Sequence, residues 1–433
     1  MKIPLINSDA KIEKAVQAAI GSLDAELGAN GQSEEFAAVP LHRSQEAIEF
    51  INYQTPQLIM INFSDAGVDG FDIMGQIIAD PWLNHGGILA FYGENETLEK
   101  INELKQTNII ISLPASEIDA QLLKVLGVIQ QNQQILFQRA IQSDFLSNIS
   151  AKFLLDSDTM IIALYSNLVA NYLYNMGFVD MQAKFNVGLS LTEMLTNAIE
   201  HGNCGISNQE KTEHLEKFGT ILGLIAEKIK NPEIARRKVI FQYEIHSTHS
   251  TFFIADEGEG FDWREYVDDS REPDLLSLHG RGILLTRHSV GGIEYNDKGN
   301  EVTLQIPHRR NATNTVPLVF KDDDTLEVQP DQVVFRSGEE SDFLYFVAEG
   351  EYRVEVEGKK IATITPADIL MGEMAFLLQE KRSATVVANT PGKLVKISKE
   401  SFINSLKKQP YYGLWLARLL AHRLYNSSHN IIN

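Results

Sequence analysis

The sequence is poor in cysteine and has no long apolar segment. Its 433 residues include one cysteine, Cys204, so no disulfide bond can form within the chain. This usage is typical of a reducing compartment, and we expect a cytoplasmic protein. The N-terminal stretch MKIPLINSDAKIEKAV lacks the apolar core of a signal peptide. No segment reaches the ~18 consecutive apolar residues that a membrane-spanning helix requires, so we expect no membrane contact.

Positive charge is also scarce. The chain has 38 lysines and arginines against 58 acidic residues, a formal net charge of −20. Non-specific binding to nucleic acid or to an anionic membrane needs a positive surface potential, which this balance disfavours. We therefore expect partners other than nucleic acids and membranes. The charge by itself indicates no fold.

The hydrophobic residues, 44% of the chain, are enough for ordinary globular cores, and the length suggests about three domains at ~150 residues each. Residues 1–118 alternate short apolar runs with amphipathic patterns. The predicted strands are IPLIN, QLIMINF, GILAFY and NIIISL, and the predicted helices are KIEKAVQAAI, SQEAIEFI and FDIMGQII. Such alternation predicts an α/β domain with a parallel sheet covered by helices on both faces.

Residues 119–147 continue a long helical pattern that starts near Ala115. The pattern fits either the last helix of the first domain running into a connector, with a homodimer seam as one use, or a packed surface helix. Residues 148–308 predict an α+β domain, in which a strand and two long helices precede four further strands. A polar linker at 308–316 leads to residues 317–433, where short alternating strands predict an antiparallel sandwich or barrel closed by terminal helices.

Three motifs in the middle domain point to nucleotide chemistry. In LTEMLTNAIEHGN, Glu193 and Asn197 lie four residues apart, so both side chains project from one face of a helix and can orient water and ligate Mg²⁺. The stretch DEGEGFDW, residues 256–263, ends an apolar strand on an aspartate followed by glycines. In HGRGI, Gly280 and Gly282 precede an apolar helix, where backbone N–H groups can approach phosphate. Taken singly, each glycine pair also fits an ordinary turn.

In this order, and followed by GNEVTL, the motifs resemble the nucleotide site of the GHKL ATPase superfamily, and most of all the anti-sigma-factor serine kinases. The resemblance covers most of residues 150–306 and implies a Bergerat-type α+β sandwich that binds ATP with Mg²⁺. It makes Glu193 the general base and Asn197 the Mg²⁺ ligand at the phosphates. The other ATP-binding positions that it implies are Asp256 for the adenine amino group, Gly258 and Gly260 beneath the base, Gly280 and Gly282 at the phosphates, and Thr303 at the adenine end.

The middle domain departs from this family pattern in two ways. About thirty extra residues, mostly helical in pattern, follow the Asn197 helix and can cover the face that binds a partner. No histidine lies between His85 and His201, so the helix before the domain offers no phosphoacceptor of the histidine-kinase type. We predict a protein-serine kinase that acts on an anti-anti-sigma partner or another sigma-type regulator. The alternative is a signalling scaffold that responds to nucleotides without catalysis.

The N-terminal stretch INFSDAGVDGFD resembles the phosphorylation loop of response-regulator receivers, whose fold is flavodoxin-like. Asp69 and Gly70 match the closing pair of that loop, which places Asn62 where the family has its phosphoacceptor aspartate. An amide cannot form the acyl phosphate, and it removes a charge that Mg²⁺ needs. The hydroxyl position of the fourth strand falls on Tyr92 and the lysine position on Leu113. The resemblance therefore implies a receiver-shaped docking or dimerisation module without a phosphoacceptor.

The C-terminal domain carries GEMAFLLQEKRSATVVA, in which Glu373 precedes Arg382. A guanidinium can meet a cyclic phosphate with paired charge-assisted hydrogen bonds, and a carboxylate can accept one from a ribose hydroxyl. The pattern resembles the phosphate cassette of the cyclic-nucleotide-binding fold in the catabolite activator and in cyclic-nucleotide-dependent kinases, an all-β jelly roll with terminal helices. A surface salt bridge is the alternative role for Arg382.

This second resemblance implies that cAMP or cGMP binds to the C-terminal domain. Ala367 and Met371 depart from the family pattern, which usually has glycine and phenylalanine at these positions. The chain ends after the terminal helix without a helix-turn-helix module, so we expect no direct contact with DNA. The implied contacts are Arg382 to the phosphate, Glu373 to the ribose 2′-hydroxyl, Gly372 with the amides of Met374 and Ala375 at the phosphate, and Ser383 near the base.

Overall fold

The computed structural model divides the chain into two compact units. One contains Met1–Asp144, Tyr172–Asp180 and Arg309–Asn433, and the other contains Phe145–Asn171 and Met181–His308. The structure describes residues 1–29, 36–80, 86–104, 107–132, 135, 148–264, 283, 286–287, 290–308 and 316–430. Most of the predicted 308–316 linker and the second half of the predicted 119–147 connector lie outside these ranges. Within them, no helix combines the length and the apolar character needed to cross a bilayer.

The N-terminal residues form a five-stranded parallel sheet in the order β2-β1-β3-β4-β5. This is the strand order of the flavodoxin-like doubly wound fold, so the predicted α/β class with a parallel sheet is confirmed. The strands are β1 (Lys2–Ile6), β2 (Ala37–Leu41), β3 (Leu58–Asn62), β4 (Gly87–Tyr92) and β5 (Ile109–Pro114). The helices are α1 (Ala10–Ala29), α2 (Ser44–Gln54), α3 (Gly70–Ala79), α4 (Asn95–Glu103) and α5 (Ile118–Gln131).

Strand β2 has no counterpart among the predicted strands. It contains Pro40, which cannot donate to a strand ladder, and it pairs with β1 at the edge of the sheet, where proline is tolerated. Its side chains are mostly half-buried, whereas every residue of the central strand β3 is buried. Because an edge strand buries less of its surface, it lacks the continuous apolar run by which the central strands are recognised.

At the carboxyl end of β3, Asn62 is buried and held by hydrogen bonds within the protein. Its Nδ2 donates to Asn7 Oδ1 at 2.9 Å, and the backbone N–H of Ser64 donates to its Oδ1 at 3.1 Å. The neighbouring Asp65 carboxylate accepts from the hydroxyl and the backbone N–H of Ser8, both at 2.6 Å. The amide at the position of the receiver phosphoacceptor therefore belongs to a closed polar network.

The middle of the chain forms an antiparallel sheet covered by two long helices. Tyr165 of the first helix packs against Phe153 and Phe241, with ring centroids 4.8 and 5.6 Å apart. Alternate residues of β7 are buried, as a sheet with one covered face requires. The predicted α+β pattern is confirmed. The sheet order is β6-β7-β8-β10-β9, with β6 (Asn148–Leu155), β7 (Val239–His246), β8 (His249–Ala255), β9 (Gly292–Tyr295) and β10 (Glu301–Pro307), and the helices are α6 (Thr159–Asn175) and α7 (Met181–Asn197).

The extra residues that follow α7 are helical, as their pattern predicts. A single π-helical segment, Ala198–Asn203, continues α7, and three short helices follow it. The first of them begins with a capping box, in which the Ser207 hydroxyl accepts from the Glu210 N–H and the Glu210 carboxylate accepts from the Ser207 N–H. These helices are α8 (Asn208–Phe218), α9 (Leu222–Lys228) and α10 (Pro232–Arg236).

The C-terminal residues form two four-stranded antiparallel sheets, in the orders β11-β18-β13-β16 and β12-β17-β14-β15. The predicted antiparallel sandwich with terminal helices is confirmed. The strands are β11 (Asp324–Val328), β12 (Val333–Phe335), β13 (Phe343–Glu349), β14 (Tyr352–Val356), β15 (Lys359–Ile364), β16 (Leu370–Met371), β17 (Thr385–Ala388) and β18 (Gly392–Ser398). The helices are α11 (Glu373–Leu378), α12 (Lys399–Lys408) and α13 (Tyr411–Asn430).

We expect acetyl phosphate to transfer no phosphoryl group to residues 1–118, because Asn62 offers an amide and its polar atoms are already bonded. Intact mass of the chain after incubation with acetyl phosphate and Mg²⁺ measures this. A receiver with an aspartate phosphoacceptor, treated in parallel, is the positive control. A phosphoryl adduct mapped to this segment would show that another residue has taken over the acceptor role.

Candidate functional site

A cavity of about 750 Å³ lies in the middle unit between α7, the π-helical segment, α8 and the ends of β8 to β10. Its volume is in the range of sites that hold small organic ligands. Glu193 and Asn197 both line it, as their spacing on one helical face predicts. Directly after Asn197 the helix widens into the π-helical segment, a type of turn that is frequent at functional sites. That segment brings His201 and Gly202 to the wall of the same cavity.

Asp256 follows β8 and lines the cavity as well. Its backbone N–H donates to the carbonyl of Asn300 at 3.0 Å, and its own carbonyl accepts from Asn300 Nδ2 at 2.8 Å. Burial raises the pKa of Asp256 to about 6, although a hydrogen bond from the Gly258 N–H and the positive charges of Lys298 and Arg237 act in the other direction. Asp256 therefore changes protonation state close to neutral pH.

The glycines after Asp256 are needed for contacts within the protein itself. A Cβ on Gly258 would overlap the carbonyl of Gly202, and one on Gly260, whose φ is +78°, would overlap the carbonyl of Lys298. Gly202 in turn lies directly against the Asp256 carboxylate. The sequence analysis predicted that a Cβ at these glycines would clash with a bound base. In the structure, such a Cβ would instead overlap the backbone of a neighbouring protein segment.

Two predicted positions that the structure describes, Gly258 and Thr303, do not line the cavity, although Glu301 and Val302 on the same strand as Thr303 do. Gly280 and Gly282 lie outside the described residues.

An aromatic cluster beside the cavity was not singled out by sequence. Phe261 and Tyr295 line the cavity, and Trp263 stacks on Tyr295 with ring centroids 5.7 Å apart. The Tyr295 hydroxyl donates to Met194 Sδ at 3.3 Å, and burial raises the pKa of Tyr295 above its ordinary value. The letters FDW are the available signal, but their spacing does not tell which ring faces the cavity.

The inserted helix α8 also reaches the cavity, through Ser207, Lys211 and Leu215 among others. Lys211 forms an ion pair with Glu200 of the π-helical segment at 2.7 Å. Sequence reasoning placed the insertion over a partner-binding face and did not single out any of its residues. An insertion has no family position to be compared with, so only its contacts reveal Lys211.

The donor set at the cavity fits a magnesium ion that is bound together with a ligand. Asn197 and Glu193 supply an amide and a carboxylate, oxygen donors of the kind that Mg²⁺ prefers. No cluster of three or more histidine, cysteine or acidic side chains suited to a metal occurs among the described residues. A magnesium ion here would therefore take its other ligands from water and from ligand phosphates.

A second candidate site lies in the C-terminal sandwich around Gly372 and Arg382. Gly372 has φ +79° and begins α11, and a Cβ on it would overlap the Arg382 guanidinium. Glu373 and Ala375 are buried, whereas Met374 and Ser383 are exposed. The structure thus gathers Gly372, Glu373, Ala375 and Arg382 and leaves the predicted Ser383 hydroxyl in solvent, while Met374 was predicted to contribute its backbone amide.

Arg382 is 4% exposed, which rules out the surface salt bridge that was its alternative role. Its Nη1 donates to the carbonyl of Gly372 at 2.8 Å, its Nη2 donates to that of Phe343, and its guanidinium lies 4.3 Å from the Phe335 ring centroid. Burial lowers the pKa of Arg382 from its ordinary value. Within the described part of the chain its Nε has no hydrogen-bond partner. A buried cation with an unused donor is suited to an anion.

Two domain families match the chain. A family model described as a cyclic nucleotide-binding domain matches residues 325–409, and one described as a histidine kinase-like ATPase domain matches residues 165–306. The chain carries both domains. The cavity around Asp256 lies in the ATPase domain, and the site around Arg382 lies in the cyclic nucleotide-binding domain. The receiver identity of the N-terminal residues and the anti-sigma assignment stay predictions.

Curated relatives share about a hundred residues or fewer with this chain. The cAMP-dependent protein kinase type II regulatory subunit of Drosophila melanogaster is 34% identical over 85 residues, 20% of this chain and 22% of the relative. The cyclic AMP receptor protein of Thermus thermophilus is 32% identical over 96 residues, 21% of this chain and 44% of the relative. The chain thus spans less than half the length of these relatives.

Among solved structures, the catabolite activator protein of Thermus thermophilus is similar to this chain, with 27% sequence identity and a TM-score of 0.25. The similarity covers 26% of this chain and 55% of that one.

We expect the affinity for ATP to fall as the pH decreases through about 6, the raised pKa of Asp256. An adenine amino group donates more strongly to the ionised carboxylate, so protonation weakens the acceptor, and the loss is at most about tenfold per pH unit below that pKa. Calorimetric titration with MgATP between pH 5 and 8 measures this. Asp256→Asn is the matched control, because its remaining pH dependence is that of the nucleotide phosphates. Identical pH profiles for both proteins would contradict the role of Asp256.

Proposed function

We propose that the chain is a bacterial signalling protein in which a cyclic nucleotide regulates an ATP-dependent protein-serine kinase of the anti-sigma-factor type. Four segments divide the work: a pseudo-receiver at 1–118, a helical connector at 119–147, the ATP-binding kinase domain at 148–308 and the cyclic-nucleotide sensor at 317–433. The setting is the cytoplasm. The protein substrate is a small anti-anti-sigma partner or another sigma-type regulator, and dimerisation through the connector is compatible with this arrangement.

One observation carries the proposal for the kinase domain: Glu193, Asn197 and Asp256 line a single cavity. Two sequence segments, a helix and a strand end, would supply the base, the magnesium ligand and the adenine acceptor that phosphotransfer requires. Phe261 and Tyr295 add apolar ring surface to the same wall, which suits a purine. A cavity of about 750 Å³ has room for a nucleoside triphosphate.

Phosphotransfer at this site follows from those positions. The Asp256 carboxylate accepts a hydrogen bond from the adenine amino group and orients the nucleotide. Asn197 would hold Mg²⁺, which would neutralise charge on the phosphates. The substrate serine attacks the terminal phosphorus, its proton passes to the Glu193 carboxylate, and the bond to the leaving ADP breaks.

The cyclic-nucleotide sensor depends on Arg382 and Glu373. The buried guanidinium would pair with the cyclic phosphate of cAMP or cGMP, helped by Gly372 and the backbone N–H groups of Met374 and Ala375. Glu373 would accept from the ribose 2′-hydroxyl, and Ser383, exposed beside Arg382, would face the base. Without a cation, the charge of a buried cyclic phosphate would cost several kcal/mol.

A second candidate function is a non-catalytic scaffold that binds ATP and cyclic nucleotide and captures a partner. The observation that favours it is that the inserted helix α8 forms part of the cavity wall. The sealed Asn62 network also fits a docking module better than an enzyme input.

Replacing Glu193 by glutamine should keep ATP affinity and reduce phosphotransfer to a partner by about 10²–10⁴-fold, since a general base acts on the nucleophile. The measurement is transfer of the terminal phosphate to co-purifying proteins, together with calorimetric ATP binding. Glu216→Gln, which removes another carboxylate lining the same cavity, is the matched control and should transfer normally. If all three proteins bind ATP and none of them transfers phosphate, the result would favour the scaffold.

A further inference from the structure

Most of the charged side chains around the ATPase cavity are acidic. Four of its described lining residues are acidic, namely Glu193, Glu216, Asp256 and Glu301. Among the described residues that line the cavity, Lys211 is the one lysine or arginine. ATP carries several negative charges that one Mg²⁺ does not fully neutralise, and a wall with so many carboxylates repels them. The polyphosphate needs a cation, and the described wall offers Lys211.

The position of Lys211 is fixed by the way α8 joins the preceding segment. The Ile206 N–H donates to the Glu200 carbonyl at 2.9 Å, and the Ile206 carbonyl contacts His201 Nδ1 at 2.5 Å. Glu210, which closes the capping box, also accepts from Lys228 of α9 at 2.9 Å. The start of α8 is therefore anchored on both sides.

The ion pair with Glu200 sets where the Lys211 ammonium group lies. The ammonium group lies 2.7 Å from the Glu200 carboxylate, and Lys211 lines the same cavity as Asn197, the predicted magnesium ligand. Glu200 is almost completely buried, whereas about a third of the Lys211 side chain is exposed. The lysine is thus tethered by one partner and retains donors for a second.

We infer that Lys211, supplied by the insertion, binds the polyphosphate of the nucleotide and makes this domain select for nucleotides with more phosphates. This inference rests on the proposed binding of ATP. It gives the insertion a role inside the ATPase site, in addition to any role towards a partner.

The test is the affinity of the full chain for MgATP, MgADP and AMP. Lys211→Ala should weaken MgATP about 10- to 100-fold, the effect of one charge-assisted hydrogen bond, and should change AMP little. Lys211→Arg should retain most of the affinity. Lys217→Ala on the same helix, whose ammonium group lies over the Phe218 ring, is the matched control and should bind like wild type.

Because Lys211→Ala leaves a buried carboxylate without its cation, the double variant Glu200→Gln/Lys211→Ala is measured as well, with thermal unfolding of each protein. Equal weakening of AMP and MgATP in the folded double variant would overturn the inference. Wild type that binds no ATP would instead refute the proposed function.

A second inference comes from α13, the last helix of the chain. The Arg423 guanidinium donates to the Glu373 carboxylate and, through Nη2, to the carbonyls of Asp368 and Leu370 at 2.7 and 2.8 Å. Glu373 is the residue predicted to accept from the ribose. Nothing in the sequence spacing relates position 423 to position 373, so only the structure reveals this contact.

The other end of α13 contacts the N-terminal α/β domain, which belongs to the same compact unit. Arg418 donates to Thr55 Oγ1 at 2.8 Å and to the carbonyl of Tyr53 at 3.3 Å, at the end of α2. The Tyr412 hydroxyl donates to the Asp80 carboxylate at 2.5 Å, just after α3. Helix α13 thus connects the Glu373 carboxylate, the predicted acceptor for the ribose, with the ends of α2 and α3.

The geometry points to competition between Arg423 and a cyclic nucleotide for Glu373. The resulting movement of α13 would be transmitted to the N-terminal domain. A ribose hydroxyl is a neutral donor to the same carboxylate that now pairs with a guanidinium. Nucleotide binding is expected to weaken the contacts of Arg423 with Glu373. This inference rests on the proposed binding of cyclic nucleotide and places its output at α2, through the Arg418 contacts.

Removing Arg423 should raise the affinity for cAMP and cGMP, by about tenfold, because the competing pair is gone. Calorimetry on the full chain compares wild type, Arg423→Ala and Arg336→Ala, an exposed arginine of the same domain that should change nothing. Arg382→Ala should abolish binding. Unchanged or weaker binding by Arg423→Ala would overturn the competition, and no binding of either nucleotide to wild type would refute the sensor itself.

Amide hydrogen exchange tests whether the movement of α13 reaches the N-terminal domain. Adding the nucleotide that binds should raise amide hydrogen exchange at residues 53–55 in wild type, and Arg418→Ala should show raised exchange there before any addition. Exchange that does not respond in wild type would show that the movement of α13 does not reach the N-terminal domain.

Discussion

The ATPase site depends on a close backbone approach between Gly202 and the loop that begins at Asp256. A side chain at Gly202 would occupy the space of the Asp256 carboxylate, so its absence lets the end of α7 and the end of β8 meet. Asn203 Oδ1 accepts from the Glu257 N–H at 3.0 Å and holds the two segments together. Without this contact, Asn197 and Asp256 would belong to separate surfaces and no shared cavity would form.

Local charge at the candidate sites differs from the charge of the whole chain. A net charge of −20 argues against nucleic acids and anionic membranes as partners, but it does not describe the surroundings of any one residue. Arg382 is buried among backbone carbonyls, and Lys211 and Arg423 each pair with a buried carboxylate. Arg382 and Lys211 are thus available to anionic ligands in an acidic protein, whereas Arg423 is held by Glu373.

Much of the fold could be predicted because most elements bury a regular pattern. The strands β7, β8 and β10 alternate buried residues with half-buried or exposed ones, and their bounds agree closely with the apolar runs in the sequence. Strand β2, with Pro40 at a sheet edge, could not be recognised in this way. Thr303 illustrates a different limit: its strand was predicted correctly, but Glu301 and Val302, and not Thr303, line the cavity.

The sequence by itself determined the α/β, α+β and antiparallel β classes of the three domains, and it placed Glu193 and Asn197 on one helical face. Periodicity and i, i+4 spacing are local properties of a helix or strand. Only the tertiary structure decided that Lys211 reaches Glu200 and that Arg423 reaches Glu373. Those contacts join residues from different elements, and in the second case positions fifty residues apart. Local spacing carries no information about such pairs, because chain folding, and not helix or strand geometry, brings their side chains together.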